Sequence, residues 1–431
     1  MTTALLILAV VFTALLMFGV PVSFSIGIAT LLALFTVTPT PNTALIVSAQ
    51  RVASSLDSFT LVAIPLFILA GGLMNTGGIA MRLIDLAKVL VGWLPGSLAQ
   101  ISVVANALFG AISGSAVASA ASVGATLSPL QRQAGYNMPI CAAANVASSP
   151  CGLLIPPSGA LIVYSLISGG TPVDVLFVAG YIPGILMAGS VMLWLAIIAR
   201  RGDLPTDVRR YSMNEAAHIF WRALPALAMI VIIMGGIFTA TEAAGVAALY
   251  TLLLGLVYRS LTLKTLLGSV INASVGTAVV MLMVGVSMTM SWLLASTGSV
   301  QMLGEAIIGV SSNPYVLLLL LNILLLVLGT FLDITPGLLI FTPIFLPVAM
   351  KLGISPVHFG IIMTFNLCIG IATPPVGSTL FVASRVSNVP LAQLTKPLLP
   401  MFAFMIVALG LVTYIPALSL WLPQVLLGKT G

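Results

Sequence analysis

The sequence predicts an all-α integral membrane protein built from two like halves, and two observations support this. Of the 431 residues, 60% are hydrophobic and 6% are charged, with a mean hydropathy of +1.22. A soluble chain would carry about 25% charged residues, whereas apolar runs here fill almost the whole length, as membrane-spanning helices require. In addition, Pro156-Pro157-Ser158-Gly159 recurs 218 residues later as Pro374-Pro375-Val376-Gly377, and Pro129 and Pro172 recur as Pro347 and Pro390.

The first half, residues 1–200, contains the apolar runs of a first repeat. We expect scaffold spans over 4–37, a span over 59–75, an interfacial arm helix over 79–93, a hairpin over 97–129, an interrupted helix over 138–168 and a span over 173–199. Gly19-Val20-Pro21 divides the first of these, because proline suits the first turn of a new helix and disrupts a helix interior. A tight reversal at this point and one long tilted helix both remain open.

The second half, residues 222–431, follows a cytoplasmic linker over 201–221 and repeats the same plan. Its predicted elements are scaffold spans over 222–258, a span over 265–296, an arm helix over 297–310, a hairpin over 314–350, an interrupted helix over 358–386 and a span over 397–420. This amounts to about ten full spans, five in each half. Arg200 and Arg201 mark one connection as cytoplasmic, and Arg259 and Lys264 mark another. Because five is odd, we expect the second half to enter the membrane inverted.

Each half also has an apolar segment that is too long for a loop and is polar or glycine-rich at its centre. Ser113-Gly114-Ser115 interrupts the first segment, and Asp333-Ile334-Thr335-Pro336-Gly337 interrupts the second. We interpret both as re-entrant helical hairpins, which enter the membrane and leave on the same side. Irregular backbone at that depth is tolerated only inside protein or along an aqueous cavity, so the hairpin tips should face the interrupted helices.

Interrupted helices at matching places in two halves point to the binding site of a transporter. A broken helix exposes carbonyl groups at one new end and N–H groups at the other, so a cation site and an anion site form close together. The first half offers neutral oxygen ligands that suit sodium, from the carbonyls of 152–157 and from Ser113, Ser115, Ser119 and Asn145. The second half offers Asp333, Thr335, Asn366, Thr373 and the carbonyls of 372–374.

The helix starts that follow the two proline pairs are predicted to hold an anion. Near Ser158-Gly159 and Gly377-Ser378-Thr379, N–H groups and hydroxyls can bind a carboxylate, so a small organic acid is the expected substrate. Any one of these residues alone is explained as well by helix kinking and close packing, and it is the matched arrangement that favours a site. A carboxylate deep in an apolar segment is costly and by default functional, so Asp333 stands out, unless its hairpin tip lies at the aqueous edge.

The remaining ionisable residues are assigned structural roles. Glu242 follows Thr239 at a helix start and is expected to cap that helix rather than to carry protons. The three cysteines have no metal-ligand spacing and are expected to be packing residues: Cys141, Cys151 and Cys368.

Other classes of protein are disfavoured. An intramembrane hydrolase with Ser113 or Ser115 as nucleophile needs a histidine partner, whereas His218 and His358 flank spans and are expected to be solvated or interfacial. A channel is disfavoured by closed, proline-broken centres in two halves of opposite orientation. The basic residues lie in short loops, so they indicate topology rather than nucleic-acid binding, and we expect no organic cofactor.

Four motifs resemble the large membrane (M) subunit of tripartite ATP-independent periplasmic (TRAP) transporters. They are Ser113-Gly114-Ser115-Ala116-Val117-Ala118, Ile155-Pro156-Pro157-Ser158, Asp333-Ile334-Thr335-Pro336 and Thr373-Pro374-Pro375-Val376-Gly377. Ala63-Ile64-Pro65-Leu66-Phe67 and Thr241-Glu242-Ala243 are weaker matches in the same order, so the resemblance covers nearly the whole chain.

This resemblance implies an inverted-repeat elevator-type transporter of the bacterial inner membrane. Its hairpins and interrupted helices would slide against a scaffold and import a carboxylate, such as a C4-dicarboxylate or sialic acid, with two or more sodium ions. Two protein partners are implied: a small four-helix membrane subunit (Q) and a periplasmic substrate-binding protein (P). The alternative is a related elevator carrier that takes its anion directly from solution.

The resemblance also implies site residues. The first sodium site falls on Ser113, Gly152, Leu153, Ile155 and Pro157, and the second on Asp333 and Thr373 with their neighbours Thr335 and Pro374. The substrate is assigned to Ser115, Ser119, Asn145, Ser158, Asn366, Gly377 and Ser378. Many relatives carry aspartate where this chain has Ser119, which removes a formal charge near the first sodium site.

Overall fold

The structure is a computed structural model that describes residues 2–76, 79–205, 211–234, 239–299, 302, 305, 309, 311, 313–374 and 377–428. Over these residues the chain forms nineteen α-helices and no strand. The predicted all-α fold is confirmed.

The first half contains ten of the helices. They are α1 (Thr2–Met17), α2 (Val22–Val37), α3 (Pro41–Leu56), α4 (Ala63–Thr76), α5 (Ile79–Val91), α6 (Ser97–Ser113), α7 (Ala116–Gln133), α8 (Met138–Ser148), α9 (Gly159–Ile167) and α10 (Val173–Arg200). Two short 3-10 helices, Phe59–Val62 and Cys151–Leu153, precede α4 and follow α8.

The second half contains the other nine helices. They are α11 (Met213–Met234), α12 (Ala240–Val257), α13 (Leu263–Ser296), α14 (Pro314–Gly329), α15 (Ile334–Lys351), α16 (Pro356–Gly370), α17 (Ser378–Ser387), α18 (Leu391–Tyr414) and α19 (Ala417–Leu427). In the described residues, α10, α13, α15 and α18 are long and apolar enough to cross a membrane. Eight further apolar helices are shorter.

Some boundaries differ from those expected. The chain reverses at Gly19, whose φ of +77° suits glycine, so 4–37 contains two helices that pack against each other. The helix α11 begins at Met213, inside the predicted linker over 201–221, of which 206–210 lie outside the described residues. The predicted span over 397–420 is instead α18, which begins at Leu391, followed by the separate helix α19.

The structure contains one helix, α3, that is not predicted from the sequence. Thr40 caps α3 by accepting from the Thr43 N–H at 3.2 Å, and Pro41 occupies its first position, two signals of a helix start. Its second-half counterpart is not separate, because the 34-residue α13 continues through the region that corresponds to α3 and α4. The predicted arm over 297–310 lies largely outside the described residues.

The helices form two packed groups. An outer group consists of α1–α4 and α11–α13, and an inner group consists of α6–α10 and α14–α19. The helix α5 contacts both groups, through α11 and α6. The interrupted helices lie at the centre, and every residue of α16 after Pro356 is buried.

The two halves exchange contacts reciprocally within the inner group. The helix α9 packs against α15, and its counterpart α17 packs against α7; likewise α8 packs against α18, and α16 against α10. Reciprocal exchange of this kind is the sign of a two-fold relation between the parts. The counterparts α7 and α15 begin and end 218 residues apart.

Candidate functional site

The first hairpin turns at Gly114, between α6 and α7. Gly114 adopts a left-handed conformation with φ of +62°, and its N–H donates to the Gly110 carbonyl at 2.9 Å, as expected of a helix C-cap glycine. Ser115 then caps α7, since its hydroxyl accepts from the Ala118 N–H at 3.2 Å. The turn therefore presents the start of α7 at the tip of the hairpin.

The second hairpin places a carboxylate at the equivalent position. Asp333 lies 218 residues after Ser115, and its Oδ1 accepts from the Ile334 N–H at 2.9 Å at the start of α15. The two residues that correspond in the repeat therefore both cap the second helix of their hairpin. One is neutral and the other is acidic, so the two hairpin tips differ in charge.

In the first interrupted helix, ten residues, 149–158, separate α8 from α9, and they include the 3-10 helix Cys151–Leu153. Ser158 caps α9 by accepting from the Leu161 N–H at 3.3 Å, and its hydroxyl donates to the carbonyl of Leu153. The carbonyls of Gly152, Ile155 and Pro157 accept no hydrogen bond from the described part of the chain. Unpaired carbonyls of this kind are suited to a cation.

Glycines let the interrupted helices approach the hairpins. A Cβ atom on Gly152 would overlap the backbone of Gly110 and Ala111, and one on Gly370 would lie 2.6 Å from the Gly329 Cα. These are equivalent contacts in the two halves, because each joins the first helix of a hairpin to the interrupted helix of the same half. Backbone therefore meets backbone at both sites.

The second interruption is closed by hydrogen bonds of its own. The Thr373 N–H donates to the Gly370 carbonyl at 2.8 Å, and the Thr379 hydroxyl donates to the Ile371 carbonyl at 3.1 Å. The Gly377 N–H donates to the Thr373 carbonyl at 3.1 Å. Pro375 and Val376, half of the predicted motif, lie outside the described residues.

A cavity of about 200 Å³ lies between the first hairpin, α9 and the second hairpin. Its lining is Ile64, Ile68, Gly114, Ser115, Ala116, Val117, Leu153, Gly159, Ala160, Val163, Val280, Asp333, Ile334 and Thr335. A smaller cavity of about 50 Å³ shares part of this lining and adds Ser113 and Pro157. Six of the predicted site residues are thus brought together.

One side of the cavity is a set of free backbone donors, which we call the anion cradle. It consists of the N–H groups of Ala116 and Val117 at the start of α7 and of Gly159 and Ala160 at the start of α9. None of the four donates a hydrogen bond within the described residues. The two helix starts are close, since a Cβ on Gly114 would lie 4.0 Å from the Gly159 nitrogen. Free N–H groups at helix N-termini attract anions.

The other sides of the cavity differ in character. The second hairpin contributes the carboxylate of Asp333, a solvent-exposed residue that lines the cavity, and the Thr335 hydroxyl. The outer group contributes an apolar wall of Ile64 and Ile68 from α4 and Val280 from α13. The cavity therefore has an anion-attracting side, a cation-attracting side and an apolar wall.

Two predicted substrate residues belong instead to a buried polar network around Asn106, which sequence reasoning missed. Ser119 donates to Asn106 Oδ1 at 2.8 Å, and Asn106 Nδ2 donates to Asn145 Oδ1 and to Ser148 Oγ, each at 2.8 Å. All four side chains are buried. The network joins α6, α7 and α8 behind the cavity.

The other predicted residues also lie outside the two cavity linings. Asn366 donates to Asn322 Oδ1 at 2.6 Å, and Asn322 donates to Thr413 at 3.1 Å, which makes a second buried chain of amides. The remainder stand at the two interruptions themselves: Gly152, Ile155, Ser158, Thr373, Pro374, Gly377 and Ser378.

His358 is a correction to the sequence analysis. It was expected to be solvated or interfacial, but it is 3% exposed, and its Nε2 lies 3.3 Å from the Thr413 carbonyl. Its position in the first turn of a fully buried helix explains the difference. The Ser113 hydroxyl donates to the Ser115 carbonyl, and the His358 ring nitrogen lies against the Thr413 carbonyl. Among the described residues, neither Ser113 nor Ser115 therefore forms a side-chain pair with a histidine.

The expectations for Glu242, the three cysteines and His218 are confirmed. Glu242 and Thr239 form a reciprocal cap at the start of α12, with the Thr239 N–H donating to Glu242 Oε2 at 2.8 Å. All three cysteines are buried. His218 is exposed.

Comparison with known proteins gives a consistent picture. Residues 9–418 match the family described as "Tripartite ATP-independent periplasmic transporter, DctM component". YgiK of Salmonella typhimurium is 50% identical over 96% of this chain and 95% of that protein. The sialic acid TRAP transporter large permease protein SiaM of Vibrio cholerae is 40% identical over 96% of this chain and 97% of that protein. The crystal structure of the Alcanivorax borkumensis YdaH transporter shares the fold, with a TM-score of 0.61, 13% identity and 90% coverage of each chain.

Proposed function

This chain belongs to the DctM component family of tripartite ATP-independent periplasmic transporters, and from that premise we propose that it imports an organic acid together with sodium ions. It is a large permease subunit, not an enzyme, and a multi-pass protein of the bacterial inner membrane. The further steps concern the substrate, the coupling ion and the partners.

The single observation that carries the proposal is that the anion cradle and Asp333 share one cavity. A carboxylate at the cradle receives up to four N–H donors and the Ser115 hydroxyl, with the positive ends of two helix dipoles behind them. Asp333 on the facing side repels a second anion and attracts a cation. The cavity therefore suits an acid group and a metal ion that enter together.

Sodium is the coupling ion in this proposal. The first site uses Ser113 and the carbonyls of Gly152, Leu153, Ile155 and Pro157, of which three accept no hydrogen bond from the described chain. The second uses Asp333, Thr335, Thr373 and Pro374. In the described residues, no three His, Cys, Asp or Glu side chains gather. Neutral oxygens with at most one carboxylate favour a monovalent hard cation over a transition metal.

In this proposal, transport occurs by an elevator motion of one helix group against the other. The outer group is the scaffold, and the inner group, which holds both hairpins and both interrupted helices, moves with the bound acid. The Ser119 network and the Asn366 chain keep the moving part rigid, because buried amides that are bonded to one another fix the helices that carry them. These residues then support the substrate site from behind.

Two protein partners complete the transporter: a small four-helix membrane subunit and a periplasmic protein that delivers the acid. The relative SiaM is named for sialic acid, so sialic acid and C4-dicarboxylates are the first substrates to test. The alternative to this tripartite system is a carrier that takes its acid directly from solution.

Uptake into vesicles separates the two candidates. The complete membrane part, large and small subunits together, is reconstituted under an inward sodium gradient, and labelled N-acetylneuraminate and succinate are offered with and without the periplasmic protein. We expect uptake only when both sodium and the periplasmic protein are present. Equal uptake with and without the periplasmic protein would favour the carrier that takes its acid from solution. Equal uptake with and without a sodium gradient would contradict sodium coupling.

A further inference from the structure

Gly71 of the outer group lies directly against the tip of the first hairpin. A Cβ atom on Gly71 would lie 2.8 Å from the Ser113 carbonyl oxygen, 3.0 Å from its Cα and 3.2 Å from its carbonyl carbon. All three are backbone atoms, so no side-chain rotation can relieve the overlap. Only glycine lets α4 and the hairpin turn meet at this distance.

The contact continues a face of α4 that already borders the cavities. Ile64 and Ile68 line both cavities, and Gly71 follows them at the spacing that keeps residues on one face of a helix. Ile64 and Ile68 form an apolar wall, whereas Gly71 has no side chain and leaves space on the same face. The hairpin turn occupies that gap, with Ser113 at its edge.

The adjacent glycine has a different role. A Cβ on Gly72 would lie 3.9 Å from the Ser269 Cβ, an ordinary van der Waals contact. Ser269 belongs to α13, so this contact stays within the outer group. Gly71 and Gly72 therefore form a matched pair in which only Gly71 faces the inner group.

The equivalent positions of the second half do not repeat this glycine contact. The position equivalent to Gly71 is Thr289, whose side chain is buried and donates to the Gly285 carbonyl of its own helix at 3.1 Å. The position equivalent to Ser113 is Phe331, which is 62% exposed. The second hairpin does contact the outer group, since α15 packs against α13, but a glycine contact like that of Gly71 with Ser113 is not repeated at these equivalent positions.

We propose that Gly71 is a positioning residue for the first sodium site. It acts through Ser113, so this inference rests on the proposed function of Ser113 as a sodium ligand. An alanine at 71 must push α4 and the Ser113 backbone apart by 0.6 Å or more, the difference between 2.8 Å and the 3.4 Å of an ordinary contact. Metal–ligand distances tolerate only about 0.2 Å, so the ligand set is lost when the tip is displaced.

Sodium binding to the purified transporter tests the inference without any substrate. Gly71→Ala is compared with Gly72→Ala, since both gain the same helix propensity. We expect the sodium concentration for half-saturation to rise by about tenfold to a hundredfold in Gly71→Ala, the usual effect of disturbing a residue behind a metal ligand. Gly72→Ala should stay within about twofold of the wild type. Equal affinities in the two variants would overturn the inference and leave the proposed function intact.

Two further outcomes are informative. A wild type that binds no sodium would overturn the proposed coupling, and the role of Gly71 with it. If Gly71→Ala does not fold, the contact between α4 and the first hairpin is measured instead in the double variant Ile68→Cys with Val117→Cys. This variant places one thiol on α4 and one on the hairpin. Sodium should raise the yield of their cross-linking by a short bifunctional thiol reagent. A yield unchanged by sodium would contradict the inference.

Discussion

The Sγ atom of Cys368 lies 3.5 Å from the carbonyl oxygen of Pro150, and the two residues are 218 positions apart. Each is therefore the counterpart of the other in the repeat. Two equivalent points can meet only close to the axis that relates the halves, so this contact marks the axis between the interrupted helices. Each half contributes one hairpin tip to the lining of the larger cavity.

Ser115 tests the anion cradle. Aspartate and asparagine cap a helix about as well as serine, so Ser115→Asp and Ser115→Asn should both keep α7 stable. A carboxylate at this position would occupy the cradle and repel a second anion. We expect Ser115→Asp to lower sodium-dependent uptake by at least about tenfold, corresponding to about 1.4 kcal/mol of lost binding, and Ser115→Asn to retain more of it. Equal uptake by the two variants would place the acid elsewhere.

Gly360 tests the packing between the halves. Tyr164 of α9 is fully buried, donates to the Pro356 carbonyl at 2.6 Å, and lies over Gly360, where a Cβ atom would be 2.7 Å from its ring Cδ1. We expect Gly360→Ala to destabilise the protein by about 1–3 kcal/mol through overpacking, seen as a lower Tm in detergent. Gly410→Ala is the control, because no described atom beyond the backbone of its own helix and its chain neighbours lies within 4 Å of the Cβ position. A similar Tm for both variants would argue against this packing.

Asn106 tests the buried polar network. Asn106→Ala would leave the buried Asn145 side-chain oxygen without its donor, while the Ser119 hydroxyl would keep only its bond to the main-chain carbonyl of residue 106 at 3.2 Å. An unpaired buried group costs about 1–3 kcal/mol, so a loss of about 2 kcal/mol is expected in chemical unfolding. Asn137→Ala changes an exposed asparagine that makes no cap hydrogen bond and should change stability by less than about 0.5 kcal/mol. Comparable losses would show that the network contributes little.

The sequence predicted the features that depend on residues close to one another in the chain, such as turns, helix breaks and helix caps. The hairpin turns at Ser113-Gly114-Ser115 and Asp333, and the break before Ser158, follow from glycine, proline and capping residues, which act over a few positions. The helix α3 is not predicted from an apolar run, because it mixes polar and apolar residues.

Contacts between residues that are distant in the sequence could not be predicted in this way. Nothing local to Ile64, Ile68 or Val280 indicates that they form one wall, since they come from two distant helices. Asn145 was predicted as a ligand from its polarity, but its partner Asn106 is 39 residues away in sequence. The role of Gly71 depends likewise on a contact with Ser113 that only the folded chain reveals.

Asp333 carries the central claim that acid and sodium travel together through one cavity. Asp333→Asn keeps a good helix cap and removes only the charge, and Asp203→Asn, in an exposed loop residue, is its control. The decisive measurement is uptake of labelled N-acetylneuraminate and succinate into vesicles that hold the complete transporter, under an inward sodium gradient and again with potassium at equal ionic strength. We predict that sodium drives uptake in the wild type and in Asp203→Asn, and that Asp333→Asn stays folded but shows no sodium-dependent uptake. Sodium-driven uptake by Asp333→Asn at the wild-type rate would contradict the account.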